Sequence, residues 1–174
     1  MTSFSDFYER EFRRVTALAY ALTGSGTAAE ELAQDGFVAA YRRWDTVAHY
    51  DDPGAWVRRV VVNACRSWGR RMSAEWRAMT RLRNRRAPLA ILREPDDEFW
   101  AAVRALPKRQ AQAIALHYVD DLSVDSIAEI LECTTGTVKQ HLFRGRQTLA
   151  QTLTTTRLVE DSQPQLPDDG GNTR

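Results

Sequence analysis

Metal-binding clusters, nucleophile motifs and phosphate-cradling loops are all missing from this chain. Its three histidines, His49, His117 and His141, are scattered and lack cysteine or carboxylate partners at metal spacing. Its glycines sit at turns and form no phosphate loop. These absences argue against an enzyme and against any resident cofactor or metal. The two cysteines, Cys65 and Cys133, lie far apart with no CxxC. They suit a reducing cytoplasm and small buried side chains. The opening MTSFSDFYEREFRR has no apolar core of a secretory signal. No apolar run is long enough to span a bilayer, so no membrane insertion is expected. No internal repeat is visible.

Charge of one sign is also scarce overall, since 24 basic residues face 23 acidic ones for a formal net charge of +1. That balance hides segregation along the chain. Residues 27–52 carry Glu30, Glu31, Asp35, Asp45, Asp51 and Asp52 against Arg42 and Arg43. Residues 66–86 carry a run of arginines against Glu75 alone. Such asymmetry points to one surface for a basic partner and another for a polyanion.

The densest signal lies between Leu106 and Gln147. Ser123 is placed to cap a helix starting at Val124, with Ile127, Ala128 and Leu131 on one face. Glu132 and Cys133 make a tight turn, and Thr134 caps a second helix. Val138, Leu142, Gly145 and Leu149 recur there at i, i+4, i+7 and i+11, which makes a buried stripe. The opposite face carries Gly136, Gln140, Phe143, Arg144 and Gln147, flanked by Lys139 and Arg146. This pair reads as a helix-turn-helix, and the second helix suits a major groove. Upstream, Pro107 opens one helix, and Asp96 or Asp97 caps a shorter one through Phe99, Trp100, Val103 and Leu106.

The first half predicts three helices. One buries Phe4, Phe7, Tyr8, Phe12, Val15, Leu18, Ala19 and Leu22, and Gly24-Ser25-Gly26 stops it. Thr27-Ala28-Ala29-Glu30 forms a capping box. The helix it opens buries Leu32, Gly36, Phe37, Ala40, Tyr41 and Trp44. A polar loop follows over 45–52. Pro53 fits the first turn of a third helix, which buries Val57, Val60, Val61, Ala64 and Trp68.

Two blocks of this chain resemble bacterial sigma factors of the extracytoplasmic-function group in the sigma-70 family. The first is Ala29-Glu30-Glu31-Leu32, Gln34-Asp35, Phe37 and Ala40-Tyr41, continued by Ala55 to Val60, Asn63 and Arg70-Arg71, and it is similar to region two. The second is similar to region four. It comprises Leu106-Pro107, Arg109-Gln110, Tyr118-Val119-Asp120, Leu122-Ser123, Ile127 to Leu131 and Gly136-Thr137-Val138-Lys139, followed by Leu142, Arg144 and Arg146. The resemblance implies an all-α fold of two small helical domains joined by a flexible linker, the C-terminal one containing the helix-turn-helix. The boundaries expected are 1–72 for the first domain, 73–95 for the linker, 96–156 for the second domain and 157–174 for a disordered tail.

It also implies partners: core RNA polymerase, through the clamp helices of its largest subunit and the flap of its second-largest, and promoter DNA. An anti-sigma factor is compatible with the absence of a sensory domain. Glu30, Glu31, Gln34, Asp35 and Val38 form an acidic and amide patch suited to docking a basic helical hairpin by complementary charge. Arg59, Asn63, Arg66 and Arg70 recur at i, i+4, i+7 and i+11 on the third helix, with Arg71 beside them. Guanidiniums so spaced suit phosphates along a strand. In the family the loop before this helix takes up a flipped base. Here it carries His49, Tyr50 and Asp51, which suit stacking and edge hydrogen bonds. In the recognition helix the DNA-facing set is Thr135, Gly136, Thr137, Lys139, Gln140, Phe143, Arg144 and Arg146. Where relatives often place glycine in the helix-turn-helix turn, this chain has Glu132. A left-handed non-glycine there costs on the order of 1 kcal/mol. The alternative reading is a dimeric helix-turn-helix regulator that never enters polymerase.

Overall fold

The computed structural model describes residues 3–82 and 95–160, and side chains within 3–74 and 98–155. All regular structure among them is helical. Helix α1 (Phe4–Thr23) starts at Ser3, whose hydroxyl accepts from Asp6 N, and ends at Gly24. Gly24 has φ +69°, a left-handed cap that a side chain would strain. Helix α2 (Gly26–Tyr41) is capped by Ser25, which accepts from Ala28 N. The expected cap, Thr27, lies inside the helix, because the glycine turn before it is tighter than the capping-box pattern assumes. A short α3 (Trp44–Val47) occupies the start of the expected polar loop. Helix α4 (Pro53–Leu82) follows, with Asp52 Oδ1 accepting from Ala55 N at 3.0 Å.

These elements pack around Phe7, Val15, Ala19, Leu32, Phe37, Val57 and Val61, with Phe4, Tyr8, Phe12, Trp44 and Trp68 at the margin. Phe7 and Phe37 rings lie 5.7 Å apart. Gly36 lets α2 approach α4 closely, since a Cβ there would sit 2.5 Å from Val61 Cγ2. Tyr41 departs from expectation. It is 66% exposed, with its ring against Phe4 at the end of α2.

The second half comprises α5 (Pro95–Ala105), α6 (Lys108–Tyr118), α7 (Val124–Leu131) and α8 (Thr135–Glu160). Helix α5 begins at Pro95, so Asp96 and Asp97 lie within its first turn and neither is the flanking cap residue. Ser123 caps α7 by accepting from Ser126 N, and Thr134 caps α8 by accepting from Thr137 N. Glu132 closes α7 in the left-handed region at φ 53°. Val138, Leu142, Gly145 and Leu149 are buried as a stripe. Six consecutive residues of α6, Ala111 to Leu116, are buried, so this helix is covered all round.

Helices α5, α7 and α8 cover part of it, and the first half covers the rest. Leu18, Ala21, Ala55 and Val62 belong to the same apolar cluster as Val103, Leu106, Ile114, Ile127 and Leu131. The two halves are packed on one another, not merely tethered. The segment expected to link them, 73–95, is helical up to Leu82, and 83–94 lie outside the described residues. Helix α8 runs four residues past the expected start of the tail, and 161–174 also lie outside the description.

Candidate nucleic-acid and partner interfaces

The acidic patch sits on α2 with its backbone anchored by buried Leu32, Ala33, Gly36 and Phe37. Glu30, Glu31, Gln34, Asp35 and Val38 are all exposed, and none makes an ion pair or side-chain hydrogen bond among the described residues. Val38 and Tyr41 add apolar surface, being 45% and 66% exposed. A rigid face with unpaired carboxylates beside exposed apolar groups suits a cationic helical partner.

Helix α4 presents the basic stripe, and its four members differ. Asn63, Arg66 and Arg70 are exposed, as is Arg71. Arg70 Nη2 donates to Ser67 Oγ at 2.9 Å, and Ser67 in turn donates to the Asn63 carbonyl. Arg59 is engaged elsewhere. Its Nη1 donates to Glu132 Oε1 at 3.0 Å, and its Nη2 to the Glu129 carbonyl at 2.8 Å. The stripe is therefore open over its C-terminal part and covered at its start. The loop before α4 places His49, Tyr50 and Asp51 at the surface. His49 Nδ1 is 2.8 Å from the Asp45 carbonyl, which fixes the ring against α3.

The outer face of α8 is open to solvent. Thr135, Gly136, Lys139, Gln140, Phe143, Arg144 and Arg146 are exposed, whereas Thr137 is half-buried through its contact with Thr134. Phe143 is 67% exposed, a large apolar group standing clear of the core. Arg146 Nε donates to Tyr118 Oη at 3.0 Å, and its guanidinium lies 5.6 Å from that ring's centroid. Tyr118 thus holds in place one of the cations expected to face DNA. Burial, followed by the Arg109 and Arg144 guanidiniums, lowers the His141 pKa from its ordinary 6.5. That leaves its ring neutral on an otherwise cationic helix at neutral pH. Burial pushes the Cys65 thiol up to about 12, which removes it from thiolate chemistry.

Sequence reasoning missed Tyr118 and, more consequentially, Arg58, Asp120, Glu11 and Gln112. Arg58 is buried on the side of α4 turned to the second half. The available signal was Ala55 and Val62, two apolar residues one heptad apart that flank Arg58 on a second side of the helix. A helix apolar on two sides is buried on two sides.

Comparison with known proteins places both halves. Residues 7–75 match the model for sigma-70 region 2, and residues 96–149 match that for sigma-70, region 4. The chain is 24% identical over 166 residues to the ECF RNA polymerase sigma factor SigW of Bacillus subtilis (strain 168), covering 87% of this chain and 89% of that protein. It is 28% identical over 134 residues to the ECF RNA polymerase sigma-E factor of Escherichia coli (strain K12), covering 68% of this chain and 70% of that one. Its fold is similar to that of the sigma factor RpoE from Bartonella quintana, solved with the anti-sigma factor NepR. The TM-score is 0.70 at 23% identity, over 87% of this chain and 96% of that one. It is also similar to CnrH, solved with the cytosolic domain of CnrY, with a TM-score of 0.64 at 20% identity over 87% and 88% of the two chains. Among the described residues no helix is long and apolar enough to cross a membrane. With both region models matched in order along one chain, this protein belongs to the sigma-70 family, in its extracytoplasmic-function group, and directs promoter-specific transcription.

Proposed function

We propose that this sigma factor divides its work among three surfaces. The acidic face of α2, with Glu30, Glu31, Gln34, Asp35 and Val38, docks on the clamp helices of core RNA polymerase, while the second half reaches the flap. The α4 stripe of Arg59, Asn63, Arg66, Arg70 and Arg71 holds the melted non-template strand. His49, Tyr50 and Asp51 receive a base drawn out of it. The outer face of α8 reads the upstream element as duplex in the major groove. The protein contributes binding energy and no chemistry of its own, and it works in the cytoplasm. The solved complex of RpoE with the anti-sigma factor NepR supports an anti-sigma partner for this chain as well.

The observation that carries this reading is the pairing of two free faces of opposite charge in one chain. The α2 patch has unpaired carboxylates, and the α8 face has exposed cations around Gln140. The match of the first half to sigma-70 region 2 leaves the dimeric regulator without support. Reconstitution with core polymerase tests the reading. Run-off transcripts are expected from a promoter library with no other sigma factor present. Their complete absence would overturn it.

A further inference from the structure

The seam between the halves is closed by charge as well as by apolar contact. Arg58 of α4 is 5% exposed, and Asp120, in the connection between α6 and α7, is 1% exposed. Arg58 Nε donates to Asp120 Oδ2 at 2.9 Å, and its Nη2 donates to Glu11 Oε2 of α1 at 2.9 Å. Arg14 of α1 donates to the Asp120 carbonyl at 2.9 Å. Gln112 Nε2 of α6 donates to the Val62 carbonyl of α4 at 3.3 Å. Beside this cluster, Arg59 is tied to Glu132 and to the end of α7. Five of these polar contacts cross between the halves, and the Arg58–Glu11 bond joins α4 to α1 behind them.

Two features make this seam suited to opening. A buried ion pair is geometrically exacting but contributes little net stability, because its charges regain hydration when separated. Asp120 also keeps unused capacity in the closed form. Its Oδ1 accepts no hydrogen bond among the described residues, and Arg14 Nε faces it only at 3.6 Å. Water would satisfy that oxygen once the halves part. An apolar seam of the same size would lack this compensation.

The consequence falls on the α4 stripe. Arg59 has both terminal nitrogens engaged by the second half, so it is free for phosphate only when α7 withdraws. In the closed form the Glu132 carboxylate, two-thirds exposed, stands at the head of the stripe and repels a polyanion. We propose that Arg58, Asp120 and Glu11, together with the Arg59–Glu132 contact, form an intramolecular latch that keeps the strand-binding stripe shut until the halves separate. The proposal rests on the reading of α4 as the strand-holding surface.

The test uses the full chain, X-ray scattering in solution and a fluorescent single-stranded oligonucleotide. Asp120→Asn keeps the shape of the side chain and removes its charge. It is expected to enlarge the radius of gyration with helical content unchanged. Oligonucleotide affinity should rise at least about threefold, as expected when the closed population outnumbers the open one by a few to one. Adding Arg59→Ala should cancel much of that gain. Glu132→Ala, at an exposed position that does not threaten folding, should raise affinity about twofold while the chain stays compact, because the carboxylate that repels the strand and holds Arg59 Nη1 is gone. If Asp120→Asn loses helical content, Glu132→Ala decides, and unchanged affinity there overturns the proposal. A compact, folded Asp120→Asn protein would overturn it too. Opening with affinity unchanged would overturn the latch alone. Failure of every variant, open or closed, to bind the oligonucleotide would overturn the reading of α4 and the proposal with it.

Discussion

The acidic face of α2 and the basic stripe of α4 were drawn from the same kind of pattern, yet the molecule treats them differently. On α2 all five expected residues are exposed and without polar partners among the described residues. On α4 the first arginine of the stripe is tied to the second half, and its neighbour Arg58 is buried. Helix α2 packs its apolar side against α1 and α4 and leaves the other side to solvent. Helix α4 is sandwiched, with Val57 and Val61 turned to the first core and Ala55 and Val62 to the second. A polar face opposite an apolar one is therefore a free surface only where a single core claims the helix.

The largest effect should come where charge is buried. Arg58→Ala leaves Asp120 and Glu11 without their partner, and should cost about 3–5 kcal/mol in chemical unfolding. Arg66→Ala, two turns further on and exposed, should change stability by no more than about 0.5 kcal/mol. Equal effects would erase the distinction between the two sides of α4. Glu11 reports on the same cluster. Burial alone would raise its pKa, but the hydrogen bonds and charges of Arg10 and Arg58 outweigh that and lower it.

On α2 the expected outcome is the reverse, with binding lost and folding kept. Glu31→Lys with Asp35→Lys turns complementary charge into repulsion at the proposed polymerase contact. Affinity for core should fall by about 3 kcal/mol, while the melting temperature barely moves. Titration of labelled core reads this directly. Unchanged affinity would remove this face from the interface.

The alternation of faces made most of the molecule legible. The buried stripe of α8, the caps at Ser123 and Thr134, the left-handed Glu132 and the stop at Gly24 follow from local chemistry, and each stands where the residue types place it. Tyr41 and the cap of α2 did not follow. A residue at a helix end escapes the core although its periodicity fits, and Ser25 outcompetes Thr27 because the glycine turn starts the helix earlier. The seam was illegible for a deeper reason. Arg58 and Asp120 are 62 positions apart. Ala55 and Val62 mark that side of α4 as covered, but nothing local names Asp120 as the partner that Arg58 meets there.

A smaller effect separates reading from holding on α8. Gln140→Ala should lose about 1–3 kcal/mol at one base pair and relax the preference there. Lys139→Ala should weaken binding evenly across sequences, as a phosphate contact does. Selection on randomised upstream elements distinguishes them. Identical preferences for wild type and Gln140→Ala would mean that the glutamine reads no base.

The α4 stripe carries the central claim, that one helix both joins the halves and holds the melted strand. Permanganate reactivity at the start site, measured on reconstituted holoenzyme over a range of salt, tests it most directly. With Arg59, Arg66 and Arg70 all replaced by alanine, core binding should persist. Reactivity should fall strongly, and the salt dependence of open-complex formation should flatten, because fewer counterions are released. Normal reactivity with an unchanged salt slope would contradict the account.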